Sequence, residues 1–163
     1  MIYVVVGTQE PFDRLIRSVD EWSRLSGHKD IIAQISNASY KPANFKYFDF
    51  IPADKFNELF MEADLIVGHA GMGTIISAMQ YQKPIIVMPR LAKYKEHRND
   101  HQVATANSFG QLGYVKSVFS HKELIEALNE RHLLRPAPAI SEHASNSLLQ
   151  TIENFLTKNF IAV

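Results

Sequence analysis

Apolar positions along this chain come in short compact runs that alternate with stretches where they recur every three or four residues. That is the pattern of strands and helices taking turns. The run at 2–6 predicts a buried strand ending at Gly7. Across 11–26, Phe12, Leu15, Ile16, Val19, Trp22 and Leu25 share one helical face, and Gly27 supplies the stop signal. Further strands are predicted at 30–35, 45–50, 65–68 and 84–88, with a weaker one at 114–118. Helices are predicted at 54–63, 74–82 and 99–112. Ser120 followed three residues later by Glu123 is a capping-box pattern opening one more helix.

Strand–helix alternation throughout predicts an α/β fold, a Rossmann-like open parallel sheet with helices on both faces. Such sheets bind ligands beyond the carboxyl ends of their strands, so the loops after the first, third, fourth and fifth strands are the expected seat of function. The prolines of 135–140 (RPAPAI) disfavour helix and mark an extended linker. Residues 1–134 therefore read as the domain, and 135–163 as linker and C-terminal amphipathic helix. Ala144, Leu148, Leu149, Ile152, Phe155 and Leu156 form that helix's apolar face. It is expected to pack back on its own sheet; the alternative is that it crosses to another domain or subunit.

Composition narrows the chemistry. A chain of 163 residues fits one domain, and 46% hydrophobic residues suffice for a core. Seventeen basic and seventeen acidic side chains cancel, which argues against a nucleic-acid partner. The absence of cysteine removes disulfides, thiolate nucleophiles and cysteine-based metal sites, and the seven histidines form no HExxH pair. No cofactor or metal is expected. The opening MIYVVVGTQE lacks a basic leader, and no apolar stretch approaches the ~20 residues of a membrane span. A soluble, cytoplasmic protein is expected, peripheral to the inner membrane only through a partner.

The strongest local signal is a strand, the turn GHAGMGT, and a helix. Gly71 and Gly73 allow close backbone approach, and the helix that follows directs free N–H groups at the turn, a natural diphosphate site. A tight turn without a ligand is the plain alternative. The turn is not a Walker A loop, and it satisfies only the first two glycines of GxGxxG. Arg90 leaves an NADP reading open, since it could meet a 2′-phosphate. The polar stretch 93–102 (KYKEHRNDHQ) suits a sugar-reading loop, with Asp100, His101 and Gln102 opening a helix, or else a charged surface loop. His69 precedes the glycines, Gly7 and Thr8 end the first strand, and Phe50 and Ile51 could wall a base or belong to the core.

Together GTQEPFDRLI, FIPADKFNELFMEADLIVGHAGMGTIISAMQYQKPIIVMP and EHRNDHQVATA resemble the glycosyltransferase family 28 C-terminal domain, over roughly residues 1–130. The likeness is to its small stand-alone subunits, those of dolichol-linked GlcNAc transfer and the PssE-type subunits of exopolysaccharide synthesis. The resemblance implies the C-terminal half of a GT-B fold. It implies a donor-binding catalytic subunit that moves a sugar from a UDP-sugar donor to a lipid-linked acceptor, with a membrane-anchored glycosyltransferase subunit supplying the other half. Position by position, Ile51 matches the residue that contacts uracil through its backbone. His69, Gly71, Met72, Gly73 and Thr74 match the diphosphate-facing turn, His101 and Gln102 the pair that touches the donor sugar, and Gly7 and Thr8 the small first loop. Ser77 stands where family members commonly carry an acidic residue that holds ribose, a weaker contact than a charge-assisted one.

The mechanism the resemblance implies is displacement at the anomeric carbon, with Arg90 or Arg98 beside the departing diphosphate and His69 or Asp100, or a partner residue, as general base. Alternatives are a non-catalytic stabilising partner of a membrane glycosyltransferase and an epimerase-like UDP-sugar enzyme. A domain lacking its partner exposes an apolar cleft face, so a homodimer in isolation is a further expectation.

Overall fold

The computed structural model describes residues 1–140 and 146–158. Six strands form one sheet, all parallel: β1 (Ile2–Val5), β2 (Ile31–Gln34), β3 (Lys46–Phe48), β4 (Leu65–His69), β5 (Ile85–Met88) and β6 (Lys116–Ser117). Their order is β3-β2-β1-β4-β5-β6, so the direction of winding reverses between β1 and β4. Both strands beside β1 align with it from the same residue, Ile2 facing Ile31 on one side and Leu65 on the other.

The pleat of β1 shows how the layers arise. Ile2, Val4 and Val6 project to one face, where they meet Leu15, Ile16, Val19 and Trp22 of α1 (Asp13–Ser26) and Leu124 and Leu128 of α5 (His121–Asn129). Tyr3 and Val5 project to the other, against Leu59 and Phe60 of α2 (Ala53–Glu62), Ile75 and Met79 of α3 (Met72–Gln80), and Ala106 of α4 (His101–Gln111). Strands buried on both faces need continuous apolar runs, which is why period-two alternation is missing from the sequence. The Trp22 indole N–H also donates to Asn129 Oδ1 at 2.8 Å, joining α1 to α5.

Several boundaries move, each for a local reason. The third strand shortens from 45–50 to three residues because β3 is an edge, and Phe48 and Phe50 remain exposed. The sixth keeps two residues. α1 stops where expected, at Gly27 in the left-handed region (φ 73°). The capping box at α5 forms: Ser120 Oγ accepts the Glu123 N–H at 3.2 Å, while the Glu123 carboxylate accepts the N–H of Phe119 rather than that of the cap residue. α3 starts at Met72, two residues before the expected 74, so Gly73 lies in its first turn. α4 starts at His101, because the Asp100 carboxylate turns back to accept the Ala92 N–H at 2.7 Å.

The stretch 135–140 forms neither helix nor strand, and it lies along the domain: Ala137 is buried and Ile140 packs against the second apolar cluster. The expectation that the terminal helix packs back on its sheet is corrected. α6 (Asn146–Leu156) forms, but every residue in it is exposed, including Leu148, Leu149, Ile152, Phe155 and Leu156. Ala144, expected on the same face, lies outside the described residues. Among the described residues, no helix is long and apolar enough to cross a membrane.

Candidate ligand cleft at the carboxyl edge of the sheet

The ends of β1, β2, β4 and β5 open into one cleft of about 630 Å³ at the winding reversal. Its floor is built from Gly7 and Thr8 after β1, His69 ending β4 and Gly71 after it, and Gly73, Thr74 and Ser77 of α3. Phe50, Ile51 and Phe56 wall one side; Arg90, His97, His101 and Gln102 wall the other.

The two glycines of the turn after β4 serve space rather than left-handed backbone. Gly71 has an ordinary extended conformation (φ −86°), but a Cβ there would overlap the His69 ring. A Cβ on Gly7, itself at φ +79°, would lie 3.1 Å from His69 Cε1. The imidazole is thus bracketed by two residues that must lack side chains. Gly73 is different: its missing Cβ faces open space, so a side chain there would enter the cleft. No side chain caps α3, so its first-turn N–H groups, which lack intrahelical partners, face the floor with the positive end of the helix dipole.

His69 Nδ1 lies 3.4 Å from the Val5 carbonyl, an arrangement that places the proton on Nδ1 and the lone pair on Nε2. Burial, and secondarily the Arg90 charge, push its pKa down to about 4, so the ring is neutral at physiological pH. Arg90 is buried; its Nη2 donates to the carbonyls of Val6 (2.7 Å) and Glu10. Its Nε is buried without a partner, and burial lowers its pKa. The Arg90 backbone N–H donates to Gln102 Oε1 at 3.1 Å, which orients the amide so that its NH₂ remains for other contacts.

Two further side chains shape the cleft and were not singled out by sequence. Gln34, 2% exposed, donates through Nε2 to the Gly7 carbonyl (3.2 Å) and accepts the Ile51 N–H on Oε1 (3.1 Å). The available signal was a lone polar residue ending an apolar strand. His97 packs edge-on to His101 with ring centroids 4.7 Å apart, and its Nδ1 is buried without a partner. Burial and the His101 ring lower its pKa. Nothing in the spacing of the polar stretch distinguishes it from its neighbours.

The loop carrying these histidines is anchored from below. Arg14 of α1 grips Glu96 with two nitrogens, at 2.7 and 2.8 Å, and also donates to the Pro89 carbonyl. Glu96 in turn accepts the Leu91 N–H at 2.9 Å. Part of the polar stretch is therefore structural, and Arg14, like Gln34 and His97, was not singled out by sequence.

Of the expected site residues, Gly7, Thr8, Ile51, His69, Gly71, Gly73, Thr74, Ser77, Arg90, His101 and Gln102 come together. The cleft lining does not include Met72, Arg98 or Asp100, although the Met72 N–H belongs to the uncapped first turn of α3. Met72 and Arg98 are exposed, and Asp100 is exposed and uses its carboxylate to accept the Ala92 N–H. The cleft lining contains no aspartate or glutamate at all. With a buried guanidinium and a helix N-terminus beside it and no carboxylate in its lining, the space suits an anionic ligand. Among the described residues no cluster of histidine and carboxylate side chains could hold a metal ion.

Reversed winding, helices on both faces and a donor-rich cleft at the reversal define a Rossmann-like doubly wound domain. The chain belongs to the glycosyltransferase family 28 C-terminal domain family, whose model matches residues 1–156. It is 27% identical over 124 residues to the Homo sapiens UDP-N-acetylglucosamine transferase subunit ALG13, covering 70% of this chain and 10% of that protein. The Eremothecium gossypii subunit of the same name is 34% identical over 93 residues, 55% of this chain and 44% of that one. A Clostridium botulinum UDP-N-acetylglucosamine–N-acetylmuramyl-(pentapeptide) pyrophosphoryl-undecaprenol N-acetylglucosamine transferase is 31% identical over 93 residues, 57% and 25% of the two chains. The chain thus matches less than half the length of these relatives.

Among solved structures, an NMR solution structure of ALG13 superposes with a TM-score of 0.60 at 19% identity, covering 99% of this chain and 96% of that one. The Acinetobacter baumannii MurG crystal structure gives 0.57 at 19%, covering 80% and 40%. At these identities the two superpositions establish the shared fold.

Proposed function

We propose that this chain is the donor-binding subunit of a two-component glycosyltransferase that moves a sugar from a UDP-sugar to a lipid-linked acceptor. A membrane-anchored subunit supplies the acceptor-binding half, and exopolysaccharide or capsule synthesis is the setting. The observation that carries this reading is the carboxylate-free cleft facing the uncapped N-terminus of α3, within a family of glycosyltransferases.

In this reading the diphosphate lies over Gly71–Thr74, where first-turn N–H groups stabilise the charge that builds as the glycosidic bond to the phosphate breaks. Thr74 and Ser77 add hydroxyls, Ser77 toward the ribose. The base stacks between Phe50 and Phe56 beside the Ile51 backbone. His101 and the free NH₂ of Gln102 reach the sugar. Arg90 sits behind them as a fixed positive charge.

The acceptor hydroxyl must lose a proton, and the cleft is poor in bases. It has no carboxylate, and His69, with a pKa pushed down to about 4, is a weak one. Deprotonation is therefore assigned to the partner half. The same observation favours the second reading, a stabilising subunit that does not itself catalyse.

A nucleotide panel tests the proposal. UDP, GDP, ADP and NADPH are compared by ligand-observed NMR on the full chain and on Gly73→Val. Selective UDP contact that disappears in the variant is expected. Equal or absent binding of all four overturns the UDP-donor reading and leaves the scaffold.

A further inference from the structure

Ser77 stands one helical turn beyond Gly73 on α3, about 6 Å further along the axis. Residues four apart share a helix face. The missing Cβ of Gly73 looks into open space, and both residues line the cleft, so the Ser77 side chain rises from the same stripe. Thr74, between them in sequence, is buried, whereas Ser77 is half-buried. Among the described residues nothing bonds the Ser77 hydroxyl, which leaves it for a ligand.

With the diphosphate over the first turn of α3 and the base between Phe50 and Phe56, the ribose falls against the second turn. The lining offers it Ser77 and, next to Phe56 in sequence, Asn57 of α2. Both are neutral. A carboxylate at this place would hold the 2′- and 3′-hydroxyls together, one on each oxygen, through charge-assisted bonds about twice as strong as neutral ones. A serine has one oxygen on a short stem. It bonds a lone 3′-hydroxyl as well as it bonds one member of a diol, so little binding depends on the 2′ position.

We infer that Ser77 makes the cleft indifferent to the 2′-hydroxyl, so that it takes 2′-deoxyribonucleoside diphosphates alongside ribonucleoside diphosphates. This rests on the uridine-nucleotide reading above and widens the class of donor to deoxynucleotide sugars.

The test titrates UDP and 2′-deoxy-UDP by ligand-observed NMR on the full chain and on Ser77→Glu, with folding checked by circular dichroism. The wild type should bind the two within about threefold, the scale of a weak neutral hydrogen bond. Ser77→Glu should open a preference for UDP of about tenfold, the scale of one charge-assisted bond. The added charge repels the diphosphate of both nucleotides alike, so the ratio is the readout and neither affinity alone. A larger UDP preference in the wild type overturns the inference. So does a ratio in Ser77→Glu that stays within threefold, because the side chain would then not face the ribose. Ser77→Asp, judged by the same ratio, stands in if the glutamate variant does not fold. Both of these failures leave UDP binding intact. A wild type that binds neither nucleotide overturns the nucleotide reading, and this inference with it.

Discussion

The edge of the His69 imidazole lies so close to Gly71 that a Cβ at position 71 would overlap Nε2. Two residues apart in sequence, they sit on either side of the turn from β4 into α3, and the ring fills the volume a side chain would need. Gly73, two residues further on, has nothing within 4 Å of its missing Cβ. The two glycines of one motif therefore do different work.

Gly71→Ala should lower stability by about 1–3 kcal/mol through overpacking against His69. Gly73→Val should leave the melting temperature unchanged or slightly raised, since valine suits a helix better than glycine by a few tenths of a kcal/mol. It should nevertheless abolish nucleotide contact, because the isopropyl group enters the cleft. Thermal melts monitored by circular dichroism, paired with ligand-observed NMR, separate the two; equal melting losses would refute the assignment.

His69 links stability to pH. Its folded-state pKa of about 4 lies below the ordinary imidazole value, so the unfolded chain binds more protons between the two. The contribution is complete above about pH 6.5 and is lost as pH falls toward 4, by on the order of 3 kcal/mol. Urea denaturation across that range should show the decline, and His69→Gln should flatten it. An unchanged slope in the variant would place the pH dependence elsewhere.

The Arg14–Glu96 clasp predicts a loop that depends on α1. Removing one partner of this largely buried pair should cost about 2–4 kcal/mol, because the other is left uncompensated. Arg14→Ala and Glu96→Ala should each also weaken nucleotide binding by loosening the segment that carries His97 and His101. In the double variant the losses should be clearly less than additive; simple additivity would mean the clasp carries no coupling.

Asp100 and His101 are neighbours with different fates. Asp100→Ala removes the acceptor for the Ala92 N–H and should cost about 1 kcal/mol without changing nucleotide contact. His101→Ala leaves that bond in place and should weaken contact with a UDP-sugar more than with UDP. Saturation-transfer measurements with both ligands decide this, and a large effect of Asp100→Ala on either would return it to the cleft.

Much of this was legible in the sequence. Apolar runs and helical periodicity announced the parallel sheet and its helices, because a strand buried on both faces must be apolar throughout and a helix covering it needs one apolar face. Gly27 and the Ser120–Glu123 pair marked helix ends through purely local chemistry. The loops that line the cleft followed from the class of fold, and most of the expected residues do meet there. What tertiary structure alone decided was which groups remain available. Whether Asp100 faces a ligand or the Ala92 N–H depends on how the short 3-10 turn Ala92–Tyr94 closes beside it. Whether α6 covers its own sheet depends on surfaces remote in sequence. Gln34 and Arg14 gain their roles only when segments far apart along the chain arrive at the same place, and a hydrogen bond or ion pair between distant segments leaves no periodic trace in either one.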